Sequence, residues 1–144
     1  MPETQNYASH TRWLPLWHFI AAPITLAYFI NAVVQVFRHP ERAMVIQAIF
    51  AFGVFAGVFA SRLMAVTVQD RLIRLEMRLR LKEILPAALF SRFDELNIRQ
   101  LVALRFASNA EMPALVERVL KGELVKEKAI KQAVRDWQGD YLRA

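Results

Sequence analysis

Two long apolar stretches occupy the first half of the chain. From Trp13 to Phe37, WLPLWHFIAAPITLAYFINAVVQVF, 25 residues carry no charge, and from Ala43 to Ser61, AMVIQAIFAFGVFAGVFAS, a further 19 carry none. A soluble core helix keeps a polar stripe along its outer face, and the second stretch offers only Gln47 and Ser61 for one. At 1.5 Å per residue it makes about 28 Å of helix, against a hydrocarbon core of about 30 Å. The first is long enough to cross with tilt, or with a kink at Pro15 or Pro23. The pattern predicts a transmembrane unit over 13–61, with spans 13–37 and 43–61 and a tight loop, RHPER, over 38–42. A signal peptide would need a shorter apolar core and a small-residue cleavage site. A soluble bundle would need the missing polar stripe.

Beyond Ser61 the pattern changes. SRLMAVTVQDRLIRLEMRLRLKEILP is rich in helix formers up to Pro86, so the second span is predicted to continue as a stalk helix over 62–85. Residues 75–82 also alternate apolar and charged, which is strand periodicity. Residue type favours the helix, because the segment after Ile73 has no β-branched residue before Ile84. On a helix, Val68, Leu72, Leu75 and Leu79 form one apolar stripe and Ile73, Met77, Leu81 and Ile84 a second. Two stripes call for two neighbours, which the following short helices are expected to supply.

Those helices are marked by local signals. Asn97 with Gln100 has capping-box spacing ahead of IRQLVALRFA. Ser108 or Asn109 is placed to cap a helix with Pro113 in its first turn and Gly122 at its end. A last helix is expected from about Glu123 to Trp137, closed by Gly139. The fold class is therefore all-α: a two-helix transmembrane hairpin whose second helix extends into a small cytoplasmic helical domain, 86–144, with an N-terminal flank over 1–12.

Charge sets the expected orientation. The chain of 144 residues carries a formal net charge of +6. Arg62, Arg71, Arg74, Arg78, Arg80 and Lys82 follow the second span, opposed by Asp70 and Glu76. The side richer in Lys and Arg stays in the cytoplasm, which puts both termini inside and the short loop outside a bacterial inner membrane. Arg12 agrees, whereas Arg38 and Arg42 pull the other way. Trp13 and Trp17 fit an interfacial belt at the cytoplasmic end of the first span.

Candidate chemistry is sparse. The chain has no cysteine, and its three histidines, His10, His18 and His39, all precede the second span. No disulfide, zinc motif, nucleophile triad or phosphate loop can be assembled, so no catalytic or metal-binding residue is expected. Gly53, Gly57 and Ser61 make a small-xxx-small face suited to close helix approach, either within the hairpin or with another chain. The first span has a polar arc of Tyr28, Asn31 and Gln35, with His18 and Thr25 beside it. Its alternatives are interhelical hydrogen bonding and a haem, quinone or pigment site with His18 as ligand. Arg62, Arg71, Arg74, Arg78 and Lys82 suit anionic headgroups or a partner protein. Lys126, Lys128, Lys131 and Arg135 are interleaved with acids and match no nucleic-acid motif, so no nucleic-acid partner is expected.

At LRFASNAEMPALVERVL, KAIKQAVRDWQGDYLRA and QNYASHTRWLPLWHF the chain resembles a family of small bacterial membrane proteins known only as a domain of unknown function. The resemblance implies two spans and a cytoplasmic helical tail, and supplies no catalytic residue. Within its motifs, Leu104, Arg105, Phe106, Trp137, Asp140, Tyr141 and Arg143 are the candidates for tail recognition. The expected role is non-enzymatic: a scaffold or accessory subunit that self-associates or docks on a larger membrane complex. A channel lined by Tyr28, Asn31 and Gln35, or a cofactor subunit using His18, are the alternatives.

Overall fold

A computed structural model describes residues 13–139; the N-terminal flank with His10 and Arg12, and Asp140, Tyr141 and Arg143, lie outside them. The described chain is helical, with no strand and a single antiparallel bridge between Ala107 and Trp137. It divides into two compact units at Val68.

The first unit opens with a wide π-helical turn, Leu16–Ala21, that leads into α1, Ala22–Arg38. Pro23 explains the wide turn. Its ring would crowd the carbonyl four residues back and it has no N–H to donate. The Ala22 N–H instead reaches back five residues to Trp17 O, the i→i+5 step of a π-bulge. His39 to Glu41 turn the chain into α2, Arg42–Ile84, whose residues up to Thr67 complete this unit. Phe29 of α1 stacks on Phe55 at 5.8 Å and meets Phe52 at 5.6 Å, while Trp17 meets Phe59 edge-on at 5.2 Å. These pairings run in opposite senses along the two helices, so they pack antiparallel.

Ala32 and Ala51 are buried, whereas Gly53 and Gly57 are exposed. A Cβ built on Gly53 or Gly57 would meet nothing within 4 Å, so the chain's own α1 does not occupy the small-residue face. The aromatic residues take that contact instead, on the other side of α2. Both helices are long and apolar enough to cross a membrane. Most of their large side chains point outward, with Phe37, Ile49 and Phe50 at 83%, 67% and 67% exposure.

The second unit begins on α2 at Val68 and, among the described residues, contains four more α-helices, α3 Ala87–Phe90, α4 Ile98–Leu104, α5 Met112–Leu120 and α6 Glu127–Ala133, and a 3-10 turn, Phe93–Glu95. Helix α2 ends where expected, because Pro86 cannot continue its hydrogen-bond ladder. Ile73, Met77, Leu81 and Leu85 form one wall of the core. Phe93, Leu96, Leu101, Leu104, Met112, Val116 and Ile130 fill it from the other elements. Only one of the two predicted stripes is covered. Val68, Leu72, Leu75 and Leu79 remain exposed, since the short helices all gather on the opposite side of α2.

The capping box at the start of α4 forms as its spacing predicts. Gln100 N–H donates to Asn97 Oδ1 at 3.0 Å, and Asn97 N–H donates to Gln100 Oε1 at 2.9 Å. Helix α5 ends in a Schellman turn: Gly122, at φ +79°, donates to Val119 O and Glu123 donates to Arg118 O. Two expectations need correction. The N-cap position of α5 falls on Glu111 rather than Ser108 or Asn109, with no side-chain cap hydrogen bond, and Asn109 Oδ1 accepts from Arg80 instead. The last helix runs from Glu127 to Ala133 and not from about Glu123 to Trp137, because Glu123 still closes the end of α5 and the backbone from Arg135 to Gln138 bonds to the α4–α5 loop instead of to itself.

Leu81 is fully enclosed. Leu81→Ala is expected to destabilise the second unit by about 2–5 kcal/mol. Urea unfolding of the full chain in mild detergent, followed by Trp137 fluorescence, reads the effect; an unchanged midpoint contradicts this packing.

Candidate functional site

Residues 104–111 and 134–138, which belong to the motif stretches 104–120 and 128–144, are far apart in sequence and meet in space. Ser108 N–H donates to Asp136 O at 3.1 Å, and Gln138 N–H donates to Phe106 O at 2.7 Å, forming the lone antiparallel bridge. Glu111 completes the joint from below. Its carboxylate accepts from the backbone N–H groups of Arg135 at 3.1 Å and of Asp136 and Ser108 at 3.3 Å each. An acceptor-only side chain thus takes up amide donors that the unwound end of α6 leaves without helical partners.

Arg80 holds the same loop from α2. Its Nε donates to Asn109 Oδ1 at 2.8 Å, Nη1 to Arg105 O at 3.1 Å and Nη2 to Ala107 O at 2.7 Å. Partial burial lowers the guanidinium from its ordinary value by desolvation, and it remains a cation. The planar fork suits this task because several donors meet several fixed acceptors at once. Sequence reasoning passed Arg80 over among the basic residues of the stalk. The available signal was its place one residue before Leu81, on the flank of the buried stripe rather than the outer face.

Phe106 is wholly buried in the joint. Trp137 lies 5.0 Å from its ring, the Arg105 guanidinium 4.8 Å and the Lys131 ammonium 5.6 Å. Lys131 is itself buried and paired with Glu127 at 2.6 Å. Of the tail candidates, Leu104, Arg105, Phe106 and Trp137 therefore form one cluster, with Leu104 and Phe106 inside the core and Trp137 half-covered.

The other candidates are dispersed. Arg74 pairs with Asp94 at 3.3 Å and lies over Phe93, as does Arg78. Arg71 and Lys82 are exposed. Arg62 sits over the Trp17 ring at 6.0 Å. Ser61 Oγ donates to Val58 O at 2.8 Å and its side chain stays on the exposed surface with Gly53 and Gly57. In α1 and the turn before it the polar arc does not converge. Tyr28 OH accepts from Gln47 Nε2 at 3.2 Å, Thr25 Oγ1 donates to Ala21 O at 2.7 Å, Asn31 is exposed and Gln35 half-buried. His18 Nδ1 lies 2.9 Å from Leu14 O, with Trp13 and Trp17 edge-on at 4.9 Å each.

Among the described residues no three His, Cys, Asp or Glu side chains group as metal ligands. Arg99, Lys126, Lys128 and Lys131 line an open hollow of about 560 Å³ together with Glu127. The joint itself joins charged donors to fixed backbone acceptors and buries an aromatic ring. Its chemistry is that of a brace with a cationic and aromatic surface.

Over residues 1–144 the chain matches a family of unknown function, DUF6526. It belongs to that family. No curated protein and no solved structure matches it. The DUF6526 match runs through both the apolar helices and the braced joint, so the two units are parts of one family architecture.

Removing the fork should loosen the joint. Arg80→Met is expected to cost about 2 kcal/mol by leaving buried carbonyls unpaired, and Arg80→Lys should recover only part of that loss. Amide hydrogen exchange at Ala107, Ser108 and Gln138 provides the readout. Unaltered protection in Arg80→Met would remove the fork from this account.

Proposed function

We propose that this protein is a non-enzymatic integral membrane protein. Its two apolar helices form a membrane hairpin that anchors the helical unit on the cytoplasmic side as a scaffold or accessory subunit. The observation that carries the reading is the contrast between the units. The second buries its large apolar side chains in a core, while the first turns them outward along two helices of spanning length. In water such an outward surface would be a large aggregation-prone patch; in lipid it is matched to its solvent.

Supporting details agree at the rim. Trp13 and Trp17 cluster with His18, and Trp17 carries Arg62 over its ring at the point where charge resumes. Amphipathic aromatic rings and snorkelling arginine side chains favour the headgroup level. The basic segment that follows favours the cytoplasmic side and contact with anionic lipid, at about 1 kcal/mol per cation near the surface. The assembly part of the proposal draws on the open Gly53–Gly57 face, which suits close approach by a helix of another chain.

Carbonate washing of membranes tests the anchor. The native chain is expected to resist extraction. Ile49→Arg, which sets a charge on an outward position near the middle of the second span at about 2.5–3.5 kcal/mol, is expected to reduce the resistant fraction. A native chain released by carbonate would end the membrane reading.

Gly57→Leu tests assembly: insertion should persist while the detergent-solubilised oligomer loses mass. If that mass does not change, the glycine face plays no part in assembly.

A further inference from the structure

Between Val68 and Glu83, α2 has two apolar faces, and the chain covers one of them. Ile73, Met77 and Leu81 are buried under the short helices, whereas Val68, Leu72, Leu75 and Leu79 are 65%, 53%, 56% and 58% exposed. The open four are spaced four, three and four residues apart, the repeat of a two-stranded coiled-coil seam. Leu72 and Leu79 take its a positions, and Val68 and Leu75 its d positions.

That phase assigns the flanks without further choice. Arg71 and Arg78 fall at g, and Glu76 and Glu83 fall at e. In a parallel pair each g residue faces the e residue five positions later in the other helix. Arg71 then meets Glu76 of a second copy, and Arg78 meets its Glu83, each twice by symmetry. An antiparallel pair would instead oppose Arg to Arg and Glu to Glu. All four residues are exposed, and none holds an ion-pair partner among the described residues. Arg78 sits over Phe93 at 5.5 Å and still reaches solvent.

We propose that a second copy of this chain packs on this face, parallel and in register, as a short coiled coil over Val68–Glu83. The parallel sense rests on the membrane reading, since chains inserted with one topology present this segment in one direction. Two heptads are too few to pair firmly from dilute solution. Confinement in one bilayer raises the effective concentration enough for a short seam to serve. Lys82 occupies the next d position and would face its own copy, so the seam closes after Leu79.

The native chain has no cysteine, which makes cross-linking of the full chain in its membrane direct. Leu72→Cys and Leu75→Cys should form disulfide dimers on mild oxidation, roughly tenfold above Gln132→Cys, an exposed control on α6. In the Leu75→Cys background, the double changes Arg71→Glu with Arg78→Glu, and Glu76→Arg with Glu83→Arg, should each lower cross-linking roughly tenfold. Co-expressing the two charge-reversed chains should restore it, because acidic flanks then face basic ones.

An embedded chain in which Leu72→Cys and Leu75→Cys cross-link no better than Gln132→Cys overturns the seam and leaves the membrane reading standing. Charge-reversed chains that still cross-link on their own also overturn it. A chain that carbonate extracts but that shows this whole pattern supports the seam and removes the membrane reading.

Discussion

The helices that follow Pro86 are all short: 4, 7, 9 and 7 residues for α3 to α6. Helices of this length do not persist alone in water, because starting a helix costs more than one or two turns return. They form here against the face of α2 that carries Ile73, Met77, Leu81 and Leu85. That helix is 43 residues long and presents them with one apolar wall. The short elements gain burial only by docking on it together. The capping box of α4 and the Schellman turn of α5 then set where each helix starts and stops, with contributions of about 1 kcal/mol at a cap.

The same wall explains why an arginine lies at its edge. In the loop between α4 and α5, Arg105 O and Ala107 O are partly buried and accept from α2. A donor with several fixed N–H groups serves both at once. Arg80 meets that need on one side and Glu111 meets the converse need on the other, by accepting the amides that the end of α6 releases. One cation and one anion thus replace a helical turn and a strand pair. Phe106, between Arg105 and Ala107, is wholly buried against Trp137.

The sequence makes most of the helices legible and little of the joint. The two apolar helices, the end of α2 before Pro86, the Asn97–Gln100 cap and the Gly122 terminus all follow from local signals. The early end of α6 does not. VRDWQ carries no helix breaker before Gly139, and the helix is lost only because Glu111 and Phe106 offer its backbone better partners. For the same reason Asn109 reads as a helix cap but serves Arg80. Motif alone marks Leu104, Arg105, Phe106 and Trp137 as recognition candidates, and their convergence on one buried ring needs the three-dimensional arrangement. The second apolar stripe of α2 reads correctly as a stripe. Which of the two would be covered depends on where the short helices dock, and periodicity does not carry that information.

Each unit uses one side of its part of α2 and leaves another side open. In the first, Ala51, Phe55 and Phe59 face α1 while Gly53 and Gly57 meet nothing. In the second, Ile73, Met77 and Leu81 are consumed while Leu72, Leu75 and Leu79 are not. A catalytic surface brings together polar groups with unlike proton affinities, and neither open side offers that. Glycines and leucines recognise shape, and the arginines and glutamates beside the leucines add a sign pattern that selects orientation. Residues of these kinds distinguish one helix from another far better than they distinguish one small molecule from another. That asymmetry is what supports the proposed role in assembly.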